Sequence, residues 1–136
     1  MAKLHFIQEK LHIPEVATKE WGEEHIICRH PHACKVMILK PGYQVSLHWH
    51  RKKSETFVLI KGQLIIEMIT REGKTYTHHL TEAYSSVTLL PNTPHTFYCP
   101  DGQLKPTIFM EASTRDSPDD SYRVYPSGPR PAPDYR

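Results

Sequence analysis

Long apolar runs are missing from this sequence. The longest, such as LIIEMI at 64–69, are short and interrupted, so no segment reads as a membrane-spanning helix. The first stretch, MAKLHFIQEKLHIPEVATKEWG, carries charges throughout and lacks the apolar core of a signal peptide. Cysteine is scarce and odd in number. Cys28, Cys34 and Cys99 form no CxxC or zinc-knuckle pattern and read as free, partly buried thiols of a cytoplasmic protein, with nothing in the sequence to support a Cys28–Cys34 disulfide. An excess of one charge sign is lacking too: 17 Lys and Arg face 15 Asp and Glu, a net charge of +2. With no basic stripe interleaved with aromatics, a nucleic-acid partner is not expected. Internal repeats and long helical periodicities are also missing.

What is present is β-structure. At 136 residues the chain holds one domain, and its 38% apolar and 24% charged content is that of a globular one. Leu4, Ile7 and Leu11 have helical spacing that Pro14 cuts, so residues 1–20 read as an N-terminal arm with at most one helical turn. The run 19–29, KEWGEEHIICR, contains a short apolar stretch that suits a strand. Strands are then expected at 34–40, 44–50, 55–61, 63–70, 75–80, 85–90, 93–98 and 106–112, separated by Gly and Pro turns. The histidine pairs His30/His32, in a proline-broken turn, and His78/His79, on a polar edge strand, read as surface residues. From Ser113 the chain holds five of the 12 prolines and few aliphatic residues. The expected domain is 21–125, with 126–136 as a Pro-rich flexible tail. Short strands at regular intervals without a long helix define an all-β sandwich or barrel.

The organising stretch is 42–62, GYQVSLHWHRKKSETFVLIKG. Side chains alternate along a strand, so His48 and His50 share a face with Gln44 and Ser46. The polar run 51–54 suits a bend, and Glu55 opens a returning strand that Gly62 stops. Two imidazoles and a carboxylate brought together in this way suit a divalent transition metal: Zn, Mn, Fe, Co or Ni.

The spacing Gly42, His48, His50, Glu55, Gly62 resembles the first signature motif of the cupin superfamily, with every ligand position filled. The resemblance implies a double-stranded β-helix, that is, a jelly-roll barrel with room for a metal and a small-molecule substrate. It also implies a fourth ligand from a second motif. LLPNTPHTFYCP at 89–100 supplies His95, with Asn92 suited to the left-handed turn position where the motif usually has glycine. The ligand set so implied is His48, His50, Glu55 and His95.

A finer resemblance runs from about residue 18 to 124. VSLHWHRKKSETFVLIKG, LLPNTPHTF and TIFMEASTRDSPDDSYRV look like the type II mannose-6-phosphate isomerase domain, and KEWG at 19–22 is similar to its entry segment. That family usually has Gln where His48 stands and Arg where Lys53 stands, and its closing Asp-Tyr-Gly-Arg segment is not recognisable after Arg123. The implied activity is a metal-dependent sugar or sugar-phosphate isomerase with Glu111 as the base. Lys53 and Arg123 are candidates to hold a phosphate or sugar hydroxyls, and Gln44 and Ser46 to orient substrate. The ligand set fits a non-haem iron dioxygenase equally, and a non-enzymatic sugar- or acid-binding module is the third reading.

The face of 44–50 opposite the histidines carries Val45, Leu47 and Trp49. An apolar outer face needs a cover, either the N-terminal arm or a second subunit. The latter predicts a homodimer with Trp49 buried at the contact.

Overall fold

The computed structural model describes residues 12–130. Thirteen strands follow in order: β1 Glu15–Lys19, β2 Gly22–Cys28, β3 His32–Leu39, β4 Tyr43–Gln44, β5 Leu47–Trp49, β6 Glu55–Lys61, β7 Leu64–Ile69, β8 Thr75–Leu80, β9 Ser86–Leu89, β10 His95–Tyr98, β11 Thr107–Thr114, β12 Tyr122–Tyr125 and β13 Gly128–Pro129. One 3-10 turn, Pro118–Asp120, precedes β12. The expected strands over 55–80 are present almost to the residue, because their alternation and glycine stops are strong local signals; β7 and β8 form a hairpin, while β6 joins the other sheet.

Two sheets face each other. The first runs β1-β2-β3-β11-β6-β9, and the second β12-β5-β10-β4-β13, with β7 pairing β10 and β8 pairing β7. Every pairing is antiparallel, and neighbours in space are often distant in sequence, as β3 and β11 are. This is the jelly-roll arrangement that the motif resemblance implies.

The inner faces are filled by period-two residues. Leu39 and Met37 on β3, Leu59 and Phe57 on β6, Phe109 on β11, and Leu64 and Ile66 on β7 are buried together with Trp21, Phe97 and Leu89. The rings of Phe57, Phe97 and Phe109 pack with centroids 4.5–6.2 Å apart, and each buried ring contributes about 2–3 kcal/mol. The same alternation then changes chemistry: the next inward positions are Lys35 on β3, Glu55 on β6 and Glu111 on β11, all buried. One end of the barrel is therefore an apolar plug and the other is ionic. At the plug, Gly22 has φ +145, and a Cβ there would lie 1.8 Å from the carbonyl oxygen of Ile38, so only glycine fits.

The ends of the chain differ from the sequence reading. The segment expected as an arm contains β1, which pairs with β2 over Glu15↔Ile26 to Lys19↔Gly22. Its Glu, Val, Thr and Lys gain ladder bonds that local sequence does not advertise. The helical spacing of Leu4, Ile7 and Leu11 lies outside the described residues. In the segment expected as a tail, β13 pairs with β4 and Arg130 stacks its guanidinium 3.4 Å from the Tyr98 ring centroid; residues 131–136 lie outside the described range. Strand 44–50 is also not continuous. It breaks at Val45 and Ser46, which separates β4 from β5.

Among the described residues, Trp49 meets a segment that the sequence reading did not name. Strand β12 pairs with β5, and Tyr122 stacks on Trp49 at 4.4 Å with ring planes 21° apart. Val45 packs against the main core. Val45, Leu47 and Trp49 are half-buried in the single chain. Among the described residues, no helix is long and apolar enough to cross a membrane.

Candidate metal centre

His48 lies on β5, His50 just beyond it, Glu55 at the start of β6 and His95 at the start of β10. The register places His95 directly opposite His48. Ligand atoms of the three histidines lie within 4.8 Å of one another. Each ring is oriented by its Nδ1, which donates to a backbone carbonyl: His48 to Ser46 at 2.8 Å, His50 to Asp120 at 2.7 Å, His95 to Thr93 at 2.8 Å. A carbonyl only accepts, so Nδ1 carries a proton, and in the neutral ring Nε2 presents its lone pair.

Glu55 meets two of these nitrogens. Its oxygens lie 3.2 Å from His50 Nε2 and 3.1 Å from His95 Nε2. Both nitrogens are buried, and neither has a properly directed hydrogen bond among the described residues. Buried polar atoms without partners are costly, and two of them aimed beside one carboxylate suit a cation. Asn92 has φ 66, the left-handed turn expected of it, and its N–H donates to the His50 carbonyl at 2.6 Å.

A buried ionic network continues from Glu55. The Lys53 ammonium, 4% exposed, lies 3.3 Å from Glu55, 2.8 Å from Glu111 and 3.1 Å from Asp116. Lys35 bridges Asp116 at 3.1 Å and Glu24 at 3.0 Å. Two ammoniums thus face four carboxylates. Arg29, 39% exposed at its side chain, reaches Asp116 at 2.9 Å and offsets only part of the excess. At least one negative charge is left over in low dielectric, which a divalent cation on Glu55 would neutralise. The donor set and the charge both fit a metal held by His48, His50, Glu55 and His95.

Ionisation follows from these contacts. Burial, reinforced by the nearby His95, pushes His48 down to about 4. Burial also lowers His50, but Glu55 outweighs it and the net shift is upward. For Glu55, burial favours the neutral acid, yet His50 and His95 hold its carboxyl well below the usual range. Burial opposes the charge on Lys53 as well, but Glu111 and Glu55 keep it protonated.

A pH dependence results. The ordinary imidazole value is about 6.5. His50 lies above it and gains a proton on acidification before His48, which stays neutral until about 4. Metal affinity should be flat at alkaline pH and begin to fall at a pH above about 6.5, where His50 gains its proton, by about tenfold per pH unit. Competition titration from about pH 8 to 5 checks this, and an affinity constant across that range would refute it. In metal-free protein the two shifts oppose each other. His50 stabilises the fold below about 6.5 and loses that effect as pH rises through its folded value; His48 stabilises it above about 6.5 and loses that effect as pH falls toward 4.

A cavity of about 510 Å³ opens at the ionic end, lined among others by His48, His50, Lys53, Glu55, Glu111 and Arg123. Glu111 accepts from Lys53 and from Ser113 Oγ at 3.0 Å. Arg123 is exposed at the cavity wall, on β12 opposite His48. Ser46 is buried and lies 3.2 Å from His48 Nδ1. Two expectations need correction. Gln44 does not line the cavity; the break at 45–46 resets the alternation, and its Oε1 accepts from Arg130 at 3.3 Å. Lys53 lines the cavity, but its ammonium is engaged by three carboxylates rather than free for a phosphate.

Sequence reasoning missed Asp120. Its carboxylate accepts from the backbone N–H groups of Arg51 at 2.9 Å, Lys52 at 3.1 Å and Lys53 at 3.2 Å, while its carbonyl holds His50. One residue therefore shapes the bend between two ligands and orients one of them. Asp120→Ala should weaken metal binding by about 10–100-fold, the usual cost of losing a ligand's support. Calorimetric titration checks it, and unchanged affinity would show that the bend holds itself. Lys35 was legible in principle, being a charge on the face of β3 that carries Met37 and Leu39. Glu24 and Asp116 carry no such mark.

No family model matches the chain, and no curated sequence matches it. Solved structures do. Oxalate decarboxylase from Bacillus subtilis superposes with a TM-score of 0.76 at 16% identity, covering 91% of this chain and 33% of that one. The oxalate decarboxylase formate complex from Lactobacillus farciminis gives 0.74 at 18%, covering 91% and 38%. The capsular polysaccharide assembling protein CapF from Staphylococcus aureus gives 0.73 at 17%, covering 84% and 32%. This chain spans about a third of the length of each. The fold is the cupin jelly roll. One end of that barrel carries the group of His48, His50 and His95, whose ligand atoms could hold a metal ion.

Proposed function

We propose that the chain is a metal-dependent enzyme acting on a small, oxygen-rich molecule, with aldose–ketose isomerisation of a sugar or sugar phosphate as its reaction. The observation that carries this reading is one cavity bounded by both His48 and His50 of the histidine cluster and a buried carboxylate outside it, Glu111. A divalent metal at His48, His50, Glu55 and His95 would polarise the substrate's oxygens. Glu111 takes the proton from the carbon bearing the hydroxyl and returns it to the neighbouring carbonyl carbon, while the hydroxyl proton passes to the former carbonyl oxygen. Lys53, 2.8 Å away, keeps that carboxylate oriented. Arg123 at the wall is the group able to meet a phosphate.

One observation favours a second reading. Glu111 is held by both Lys53 and Ser113, which restrains it as a base. A dioxygenase with iron at the same site needs no such base. The discriminating experiment uses protein loaded separately with Zn, Mn, Fe(II), Co and Ni. Uptake of solvent deuterium at carbon is followed by NMR with aldoses, ketoses and their phosphates, beside an oxygen electrode. Deuterium exchange with any metal supports the isomerase. Oxygen consumption without exchange supports the dioxygenase. Saturable sugar or small-acid binding with neither overturns both in favour of a binding module.

A further inference from the structure

We infer that Cys28 and Cys34 form a redox modification site, closing to a cross-strand disulfide in the presence of a small-molecule disulfide such as oxidised glutathione. The two residues are direct partners in the antiparallel β2–β3 ladder. Both are free thiols and both are partly exposed. Residues directly opposite in such a ladder have Cα atoms about 4.5–5.5 Å apart, within the roughly 4.4–6.8 Å that a disulfide spans. The register shifts between Ile26 and Cys28, and a bulge of this kind bends the strand, giving the backbone room to adapt. Burial and then the neighbouring Cys28 push the Cys34 thiol up, so the two sulfurs sense each other. Cys28 Sγ donates to the His32 carbonyl across the same hairpin end.

The placement has a consequence for the candidate centre. Between the two thiols the chain turns through Arg29, whose side chain and carbonyl both bind Asp116, each at 2.9 Å. Asp116 in turn holds Lys35 and Lys53. Closing the pair ties the hairpin end that carries Arg29 to one register.

The chemistry balances by two exchanges. One protein thiolate attacks the glutathione disulfide, forming a mixed disulfide and expelling one glutathione thiolate. The second protein thiolate attacks the protein-side sulfur and expels the other. The protein loses two protons and two electrons, and the glutathione disulfide is reduced to two thiols. Cys99 is an internal control, since it is buried with its Sγ donating to Leu39 and Thr107.

The test is intact-mass and non-reducing peptide analysis of the full chain in oxidised glutathione. The expected result is a mass lower by about 2 Da, one remaining thiol at Cys99 and a Cys28–Cys34 linked peptide, all reversed by dithiothreitol. Cys34→Ser should instead retain glutathione on Cys28, a gain of about 305 Da. Three persisting thiols, stable glutathione adducts without closure in the native chain, or a linkage to Cys99 would each overturn the inference. The native-chain readings stand even if the variant fails to fold.

Discussion

Replacing His95 with alanine should strip the metal from this protein, lowering affinity by more than about 100-fold. That threshold is set by the cost of losing a mere supporting partner, about 10–100-fold; losing a donor costs more. His95 is 1% exposed, its Nδ1 is fixed by the Thr93 carbonyl and its Nε2 lies 3.1 Å from Glu55. No other imidazole among the described residues belongs to the cluster besides His48 and His50. The ring also packs near Phe57 and Phe97, at centroid distances of 5.9 and 5.4 Å, so its truncation leaves a small void. Equilibrium dialysis with elemental analysis measures the metal, and denaturant unfolding in chelator separates the packing loss from the ligand loss. Metal bound at full stoichiometry and native affinity by a folded His95→Ala protein would end the reading of this cluster as a metal centre.

Lys53→Met should have the largest effect on stability, with the opposite sign for metal. The ammonium is buried and serves Glu55, Glu111 and Asp116 together. Removing one partner of a buried ionic cluster leaves uncompensated charge, a cost of about 3–5 kcal/mol. That loss should appear in urea unfolding with chelator present and shrink when metal is added, because the metal neutralises Glu55. Affinity should hold or rise, since a positive charge 3.3 Å from a ligating carboxylate opposes a second cation. If Lys53 were instead a free phosphate contact, the substitution would leave metal-free stability within about 1 kcal/mol and change only the KM for phosphorylated substrates. A small stability change in chelator would therefore overturn the ionic-cluster account.

The strands, and the placing of His48 and His50 on one face, were legible for a physical reason. His48 and His50 sit one residue apart on a strand, Glu55 begins the next, and His95 follows a proline-bounded turn. Those relations are local, and a period of two fixes their direction. Asn92 was readable likewise, because few side chains tolerate positive φ. The same rule failed at Gln44: alternation holds only while a strand is continuous, and the break at 45–46 is set by β10, where Val45 donates to the Phe97 carbonyl and Thr96 Oγ1 donates to that of Val45.

By itself, then, the sequence determined the all-β class and the central strands, since alternation and turn chemistry act over a few residues, while the jelly-roll form and His95 as a fourth candidate donor were what the resemblance implied. Only the tertiary structure decided what surrounds them. Asp120 shapes the bend at 51–53 from about seventy positions away in sequence. Lys53 reads as a surface cation in a polar run, yet closure of the barrel sets it among carboxylates from β6, β11 and the following loop. Trp49 looks like an orphan on an exposed face until β12 returns and lays Tyr122 across it. Burial, ion pairing and cover depend on which distant strands become neighbours, and only the folded sheet order carries that information.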